Sequence, residues 1–364
     1  MKNTSRIPKK IGLYNPYLDV LGGGELHILS ILKVLEDQGY SIDVFWDQDL
    51  SEKIQTNFKL NFSSLRFRKN IFRQKNFINT VLTLKDYDVF FYVSDGSYFF
   101  STAKKNFVFY MVPEQKLFNF NLLTKLKLLN WRFIANSNYT ASLISKWTGK
   151  KISVIYPYID SRFYNFDSDK KKIILSVGRF FKGLHSKRQD LIIKTFIKLK
   201  LQIKLLKEFK LVLIGRVKEE DLDYFQYIKK LAGDRNDILI LNDLSADDVL
   251  SFYKQAMFYW HFTGWGLRET NSFEKAEHFG ISIAEAMASK SVVFAYDFGG
   301  PVEIITHRKT GFLIQNEKDL QDYLTQVLKN SNLRKSIADN ARAHIIKNFS
   351  YSAFSKKVAE VVLK

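Results

Sequence analysis

Two glutamates eight positions apart, Glu277 and Glu285, are the side chains of this sequence best suited to hold a polar ligand. Between them, Gly280 precedes a run of helix formers, so we predict a helix from Ile281 to Ala288. The free N–H groups at such a helix start attract phosphate. Glu277 then lies in the loop before the helix and Glu285 on its second turn. This spacing suits a ligand with vicinal hydroxyls and a phosphate, although any single Glu is more often a solvated surface residue.

Basic residues after a predicted strand support a phosphate-binding role. Val177-Gly178-Arg179 ends that strand, and Lys187 precedes a helix predicted from Gln189 to Leu201. An Arg fork and a Lys point charge can neutralise a diphosphate leaving group without a metal, because they stabilise the charge that develops on the departing oxygen. The alternative is an ordinary basic loop, since Lys182 and Arg188 lie in it too.

A glycine run from Gly22 to Gly24, followed by Glu25, comes after the first predicted strand. We predict that a helix begins at Gly24, so the unhindered backbone N–H groups of the run can approach a diphosphate or sugar oxygen closely. The spacing is not the GxGxxG of dinucleotide-binding loops, and a tight turn is the alternative explanation.

The bulk composition excludes several classes of protein. A chain of 364 residues with 46% hydrophobic content is long enough for two domains. The absence of cysteine excludes disulfides, thiolate metal sites and cysteine nucleophiles, and the 6 scattered histidines argue against a metal site. The basic start, Met1 to Lys10, lacks the apolar core of a signal peptide, and no window approaches the roughly 18 apolar residues of a membrane span. We expect a cytoplasmic protein, with peripheral attachment to the inner membrane face as a further expectation.

The net charge of +19 predicts an anionic partner. No Asp or Glu occurs from Lys53 to Lys85 or from Gln115 to Ile159. In the second stretch apolar and basic residues alternate in a pattern that fits a helix on an anionic membrane, and a core-facing helix with a solvated lysine face explains it equally well. Nucleic acid is a weaker third choice, because no helix-turn-helix, RNP-like or zinc pattern accompanies the charge. The alternating residues are Lys116, Leu117, Phe118, Leu122, Leu123, Lys125, Leu126, Lys127, Leu128, Leu129 and Arg132.

Short apolar runs alternate with longer helical patterns along the chain, which predicts two doubly wound parallel sheets. A linker around Pro157 separates an N-terminal domain, 1–160, from a C-terminal domain, 161–348, and a final helix in 349–364 crosses back toward the first domain. Ligands of such sheets bind beyond the carboxyl ends of the strands, here in a cleft between the domains. The predicted strands are Lys10–Tyr14, Ile42–Trp46, Asp88–Val93, Phe107–Tyr110, Arg132–Ala135, Ile152–Ile155, Lys172–Val177, Leu211–Ile214, Ile238–Leu241, Phe258–Trp260, Val292–Ala295 and Phe312–Ile314.

A further loop, His261 to Lys275, is rich in aromatic rings that could stack on sugar faces or pack as an inert insertion.

Together these motifs resemble the family 4 glycosyltransferases of the GT-B fold, which has two Rossmann-like doubly wound domains facing a cleft. The glycine run and the sequence Glu-His-Phe-Gly-Ile at 277–281 also resemble the α-1,2-mannosyltransferases that extend lipid-linked oligosaccharides from GDP-mannose. The residues that carry the family resemblance are Gly22 to Glu25, Tyr156-Pro157, Gly178-Arg179, Lys187, Glu277 to Ala288 and Thr310-Gly311-Phe312-Leu313.

The resemblance implies a role for each matching position. Arg179 and Lys187 would bind the donor diphosphate, Glu285 the ribose hydroxyls of the nucleotide and Glu277 the sugar hydroxyls. Arg179, Lys187 and Glu277 thereby form the implied catalytic set. The implied donor-binding residues are Gly22, Gly23, Gly24, Gly178, Phe279, Gly280, Ile281 and Glu285.

The implied activity is transfer of a hexose, with mannose as one candidate, from a GDP- or UDP-linked donor to a glycan or lipid-linked acceptor. Family members retain the anomeric configuration, and neither a metal nor another cofactor is expected. One departure supports an alternative, a catalytically weak GT-B protein that binds sugar or nucleotide or serves as a partner subunit. Many relatives carry a His two residues before a Pro in the first domain, whereas this chain has Met111, which cannot hydrogen-bond a sugar hydroxyl as imidazole does.

Overall fold

The computed structural model describes residues 9–73, 76–118, 121–166, 168–267 and 272–364. It divides into two compact units, Met1–Pro157 with Phe354–Lys364, and Tyr158–Ala353. The prediction about a signal peptide and part of the aromatic loop after His261 fall on residues outside the described ranges.

The first unit contains a parallel sheet of seven strands in the order β3-β2-β1-β4-β5-β6-β7. All six strands predicted for this half are present. Strand β3 was not predicted, because only alternate residues of its Leu-Arg-Phe-Arg sequence are apolar and none is fully buried. The strands are β1 (Lys10–Tyr14), β2 (Ser41–Phe45), β3 (Leu65–Arg68), β4 (Val89–Val93), β5 (Lys105–Tyr110), β6 (Trp131–Ala135) and β7 (Ile152–Val154).

Among the described residues of this unit, five α-helices lie between the strands, and four of them bury apolar side chains. Strand β4 is buried along its whole length, as is usual for a parallel strand with helices on both faces. On one face its rings join a core that also contains Leu84 and Ile144, which lie on helices, and Leu128, which directly follows one. The helices are α1 (Gly23–Glu36), α2 (Ser51–Phe58), α3 (Phe77–Leu84), α4 (Leu122–Lys127) and α5 (Asn138–Thr148).

The second unit contains a parallel sheet of six strands in the order β10-β9-β8-β11-β12-β13. Every strand predicted for this half is present, so the two doubly wound sheets of the sequence prediction are confirmed. The strands are β8 (Lys171–Val177), β9 (Lys210–Gly215), β10 (Ile238–Asn242), β11 (Ala256–His261), β12 (Val292–Tyr296) and β13 (Phe312–Ile314). The helices are α6 (Gln189–Gln202), α7 (Leu222–Ala232), α8 (Ala246–Gln255), α9 (Ile281–Ala288), α10 (Pro301–Ile304), α11 (Glu317–Lys329) and α12 (Ser331–Phe349).

The C-terminal segment consists of α13 (Tyr351–Val358) and a π-helical turn, Ala359–Leu363. From Phe354 onward it belongs to the first unit. Lys105 on β5 donates to the carbonyl oxygens of Val362 and Leu363 at 3.2 and 2.8 Å. A cation at a helix C-terminus satisfies carbonyls that have no partner within the helix.

Among the helices described, none combines the length and the apolar composition that a crossing of the membrane requires.

Candidate functional site

The order of strands in the second sheet reverses between β8 and β11, which lie side by side. Such a reversal leaves a crevice beyond the carboxyl ends of the two strands, because the connections leave them toward opposite faces. Gly178 and Arg179 directly follow β8, and His261 is the last residue of β11. The predicted basic loop therefore starts at the switch point of the sheet.

An ion pair between Lys187 and Glu277 lies at the centre of this region. The Lys187 ammonium bonds to Oε2 of Glu277, and Nε2 of His261 lies 2.8 Å from the same oxygen. The side chains of Lys187 and Glu277 are only 16% and 13% exposed. The structure thus joins two residues to which the sequence analysis gave separate ligands, the diphosphate and the sugar.

The electrostatics of this cluster keep Glu277 ionised. Burial alone would raise the pKa of Glu277, but the charge of Lys187 and the close contact with His261 outweigh burial and hold that pKa well below its usual range. Burial lowers the pKa of His261, although the carboxylate opposes that shift. The His261 ring is therefore neutral near pH 7, with its Nε2 atom 2.8 Å from the carboxylate.

Lys187 reaches Glu277 by lying across Gly178. A Cβ atom at Gly178 would be 2.5 Å from Cγ of Lys187, so only glycine leaves room for the lysine stem. Nε2 of Gln189, the first residue of α6, donates to the carbonyl oxygens of Gly178 and Arg179, both at 3.1 Å. The start of α6 thereby holds the loop after β8, and Lys187 is the cation of this loop that reaches the carboxylate.

Arg179 lies near the cluster but has a different partner. Its Nε is 3.5 Å from Oδ2 of Asp221, and its guanidinium is 4.0 Å from the centre of the Phe181 ring. Burial lowers the pKa of His185. The charges of Lys187, Glu277 and Arg179 have smaller effects on that pKa. The described structure therefore places Arg179 in the same neighbourhood as the ion pair, with 37% of its side chain exposed to solvent.

Helix α9 spans Ile281–Ala288, the range predicted from the sequence. Its N-cap is Gly280, which has φ +105° and ψ 58°. A side chain at this position would be strained, and a Cβ atom would also lie 2.8 Å from Cδ1 of Ile283. Gly280 thus allows the chain to turn directly from the loop that contains Glu277 into α9. The first N–H groups of α9 therefore come soon after Glu277 in the sequence.

The loop from Glu277 to Phe279 is held by a glycine pair that the sequence analysis missed. The N–H of Gly300 donates to the carbonyl oxygen of Glu277 at 2.7 Å. A Cβ atom on Gly299 would lie 2.5 Å from that same oxygen, and one on Gly300 would lie 2.5 Å from Cα of Phe279. The signal in the sequence is the doublet Gly299-Gly300 before Pro301, which begins α10.

Glu285, on α9, has an environment unlike that of Glu277. Burial raises its pKa to about 7, and the hydroxyl of Tyr253 offsets part of that effect. The rings of Tyr253 and Tyr259 stack at 5.9 Å, and the Tyr259 hydroxyl lies 3.2 Å from the carbonyl oxygen of Val177 at the end of β8. The two glutamates therefore differ in charge near neutral pH, since Glu277 stays ionised and Glu285 titrates.

In the aromatic loop after β11, His261 belongs to the site, whereas Phe262 and Trp265 pack against other rings. Phe262 is buried, and its ring lies 4.7 Å from that of Trp265, which contacts Tyr296 at 5.4 Å. This part of the loop contributes to the packing of the second unit. His261 contacts Glu277 instead, a role that the sequence analysis missed although the residue ends a strand at the switch point.

In the first unit the glycine run forms the start of α1, which begins at Gly23, one residue before the predicted start. The N–H of the N-cap, Gly22, donates to Oε2 of Glu25 at 2.9 Å. A Cβ atom on Gly24 would overlap the sulfur of Met111 and lie 3.2 Å from its Cε. Met111, which directly follows β5, thus covers Gly24.

Within the described ranges, no group of three or more His, Cys, Asp or Glu side chains is arranged to hold a metal ion.

Comparison with known proteins identifies relatives of both the sequence and the fold. Residues 159–344 match the family described as "Glycosyl transferases group 1". A mouse GDP-Man:Man(3)GlcNAc(2)-PP-Dol alpha-1,2-mannosyltransferase is 28% identical over 247 residues, which is 63% of this chain and 46% of the relative. The alpha-1,3/1,6-mannosyltransferase ALG2 of Rhizomucor pusillus is 24% identical over 267 residues, which is 63% of this chain and 56% of the relative. The match thus spans about half the length of these curated relatives.

Solved structures show the same fold. A glycosyltransferase from Rickettsia africae ESF-5 superimposes with a TM-score of 0.72 at 18% identity, over 98% of each chain. Anabaena HepE, solved in complex with UDP and glucose, superimposes with a TM-score of 0.69 at 17% identity, over 97% of this chain and 98% of that one. The predicted GT-B class of fold is confirmed.

Proposed function

Because the chain belongs to the group 1 glycosyl transferases, we propose that it moves a hexose from a nucleotide-diphosphate sugar to a glycan or lipid-linked acceptor. Two relatives named as mannosyltransferases support mannose as the sugar, and the name of the mouse relative supports GDP as the nucleotide. A UDP-linked donor is the second candidate, because HepE was solved in complex with UDP and with UDP-glucose. The observation that carries the proposal is the buried cluster of Lys187, Glu277 and His261 at the switch point of the second sheet.

In this proposal the cations stabilise the leaving diphosphate. Lys187 and Arg179 supply two positive charges, and Lys187 is bonded to Glu277 in the loop that leads into α9, where backbone N–H groups add partial positive charge. A phosphate oxygen that approaches Lys187 competes with Glu277 for the ammonium protons. Preorganised cations of this kind lower the barrier because they stabilise charge that develops only as the bond to the sugar breaks.

The carboxylates bind hydroxyls rather than attack the sugar. Glu277 stays ionised, so its oxygens can accept hydrogen bonds from sugar hydroxyls, and Lys187 holds the carboxylate in place. Glu285 accepts the ribose hydroxyls of the nucleotide in its ionised form. We propose that the anomeric configuration is retained through a front-face displacement in which the leaving phosphate takes the proton of the acceptor hydroxyl. This reaction needs no carboxylate nucleophile.

The test is transfer with a panel of GDP- and UDP-linked hexoses and a lipid-linked acceptor, monitored by release of the nucleoside diphosphate. Lys187→Ala and Arg179→Ala are expected to lower kcat/KM by about 100-fold or more, the scale for loss of a transition-state charge partner. Lys182→Ala is the matched control, because Lys182 lies in the same loop and is exposed. Equal turnover by wild type and all three variants would contradict the proposal.

One observation favours a second candidate, a catalytically weak subunit that binds sugar or nucleotide. Met111 covers Gly24 with a thioether, which accepts hydrogen bonds only weakly and donates none. Binding of a nucleoside diphosphate by calorimetry, without release of nucleotide from any donor in the panel, would support this candidate over the enzyme.

A further inference from the structure

A group of apolar side chains on α3, on α4 and at Leu129, two residues after α4, is turned toward solvent. Each is between 47% and 76% exposed, and they make up a large share of the exposed apolar residues among those described. Exposed apolar residues that cluster, rather than lie singly, indicate a binding surface. The members of this surface, named here the α3–α4 surface, are Phe77, Ile78, Leu82, Leu122, Leu123, Leu126 and Leu129.

The two helices cover the same face of the first sheet. Leu84 of α3 and Leu128, which follows α4, belong to one buried core. A single loop also bonds to α3 and to the segment after α4, since Thr102 Oγ1 donates to the carbonyl oxygen of Val81 at 2.5 Å and Asn130 Nδ2 donates to that of Ser101 at 2.8 Å. The exposed side chains of α3 and α4 therefore lie on the outer side of one layer.

The charge around this surface is positive. Both helices lie in stretches of the sequence without any Asp or Glu. Lys125 and Lys127 of α4 take part in none of the ion pairs found among the described residues. The nearest acids in the sequence to α3 are Asp86 and Asp88, and Asp88 is paired with Lys104 at 2.7 Å.

We propose that the α3–α4 surface inserts into the headgroup region of an anionic lipid bilayer. The leucine and phenylalanine side chains enter the boundary between headgroups and acyl chains, while Lys125 and Lys127 contact lipid phosphates. The charge distribution favours a bilayer over a second copy of this chain, because a symmetric contact would bring the same lysines together. This inference does not depend on the proposed transfer activity, and its test does not measure activity.

The test is sedimentation with phosphatidylcholine vesicles that contain or lack phosphatidylglycerol. Wild type is expected to sediment with the anionic vesicles and to be partly released at high salt. Leu122→Ser/Leu123→Ser is expected to lower the partition coefficient by about tenfold or more, because two apolar side chains no longer enter the bilayer. The matched control is Leu201→Ser/Leu205→Ser, which changes two exposed leucines of the second unit. Equal loss in both double variants, or none in either, would overturn the proposal.

A second measurement separates insertion from attraction by charge alone. The chain has no cysteine, so Leu123→Cys and Leu201→Cys each provide a single site for a polarity-sensitive fluorophore. A blue shift on anionic vesicles is expected at position 123 and not at position 201. The same emission at both positions would overturn the proposal. So would a dimer that dissociates in Leu122→Ser/Leu123→Ser and shows no vesicle binding, because the surface would then join two copies.

Discussion

Lys187 and Glu277, 90 positions apart in the sequence, form an ion pair in the interior of the second unit. Each is the other's partner in the described structure, whereas the family resemblance assigns them to different parts of a donor. A diphosphate that binds Lys187 must therefore share it with a carboxylate that also lies 2.8 Å from Nε2 of His261. This coupling makes the stability of the fold and the binding of the donor depend on the same charges.

Removal of Lys187 is expected to destabilise the protein, because it leaves an ionised carboxylate in a site that is mostly closed to water. We expect Lys187→Ala to lower the free energy of unfolding by roughly 3 kcal/mol, near the lower end for a broken buried pair. Urea denaturation measures this change. Lys198→Ala, which breaks the exposed pair of Lys198 with Glu317, is the control and should change the free energy by less than about 1 kcal/mol.

The double variant Lys187→Ala/Glu277→Gln should cost less than the sum of the two single changes, because neither charge is left without its partner. Additive costs would show that the two side chains do not interact in solution.

Gly280→Ala is expected to weaken both the fold and the binding of a nucleoside diphosphate. The change places a side chain at φ +105° and within 2.8 Å of Ile283, so it shifts the start of α9. Gly39→Ala is a matched control, since Gly39 has φ +89° and a Cβ atom there would meet nothing within 4 Å. Thermal unfolding should show a loss of about 1 kcal/mol for Gly39→Ala and a larger loss for Gly280→Ala. Unchanged nucleotide affinity in Gly280→Ala would contradict the assignment of α9 to phosphate binding.

The titration of Glu285 predicts a dependence of stability on pH. Its pKa is about 7 in the folded state against an ordinary value of 4.5, so the folded state binds more protons between these values. Its contribution to stability therefore falls as pH rises from about 4.5 to 7 and is constant above that range. Relative to wild type, Glu285→Gln should gain stability between pH 5 and pH 8 in urea denaturation. A constant difference across this range would show that Glu285 titrates normally.

Gly24→Ala should destabilise the first unit, because the new methyl group overlaps the Met111 sulfur. The expected loss is about 1–3 kcal/mol, the usual cost of overpacking. In the background of Met111→Ala the same change should become neutral or stabilising, since alanine is the better helix former and space is now free. Thermal unfolding of the four proteins of this cycle measures the effect. The same loss in both backgrounds would mean that Met111 does not cover Gly24.

Met111→His is expected to raise turnover of the donor. Imidazole can hydrogen-bond a sugar hydroxyl, and the thioether of Met111 cannot do so as well. The measurement is kcat with the best donor of the panel, with Met111→Leu as the control for a change of shape without a polar group. An increase in both variants would point to packing against Gly24 rather than to hydrogen bonding.

The sequence by itself determined the alternation of strands and helices, and with it the two doubly wound sheets. Parallel strands buried on both faces are continuous apolar runs, so β1, β4 and β12 could be located without tertiary information. The start of α9 could also be predicted, because a left-handed N-cap requires glycine and Gly280 is in the sequence. Strand β3 was missed because its edge position leaves only a short alternating pattern.

Only the tertiary structure determined which charged side chains form ion pairs. Nothing local distinguishes Lys187 from Lys182, and only the packing of Lys187 across Gly178 brings it to Glu277. Contacts between distant residues also turned Arg179 toward Asp221 and added His261 to the cluster. The exposure of the α3–α4 leucines was likewise undecided by the sequence, since an amphipathic pattern shows which residues share a face but not what covers that face. Local patterns report backbone geometry and periodicity, whereas partners depend on distances that only the folded chain sets.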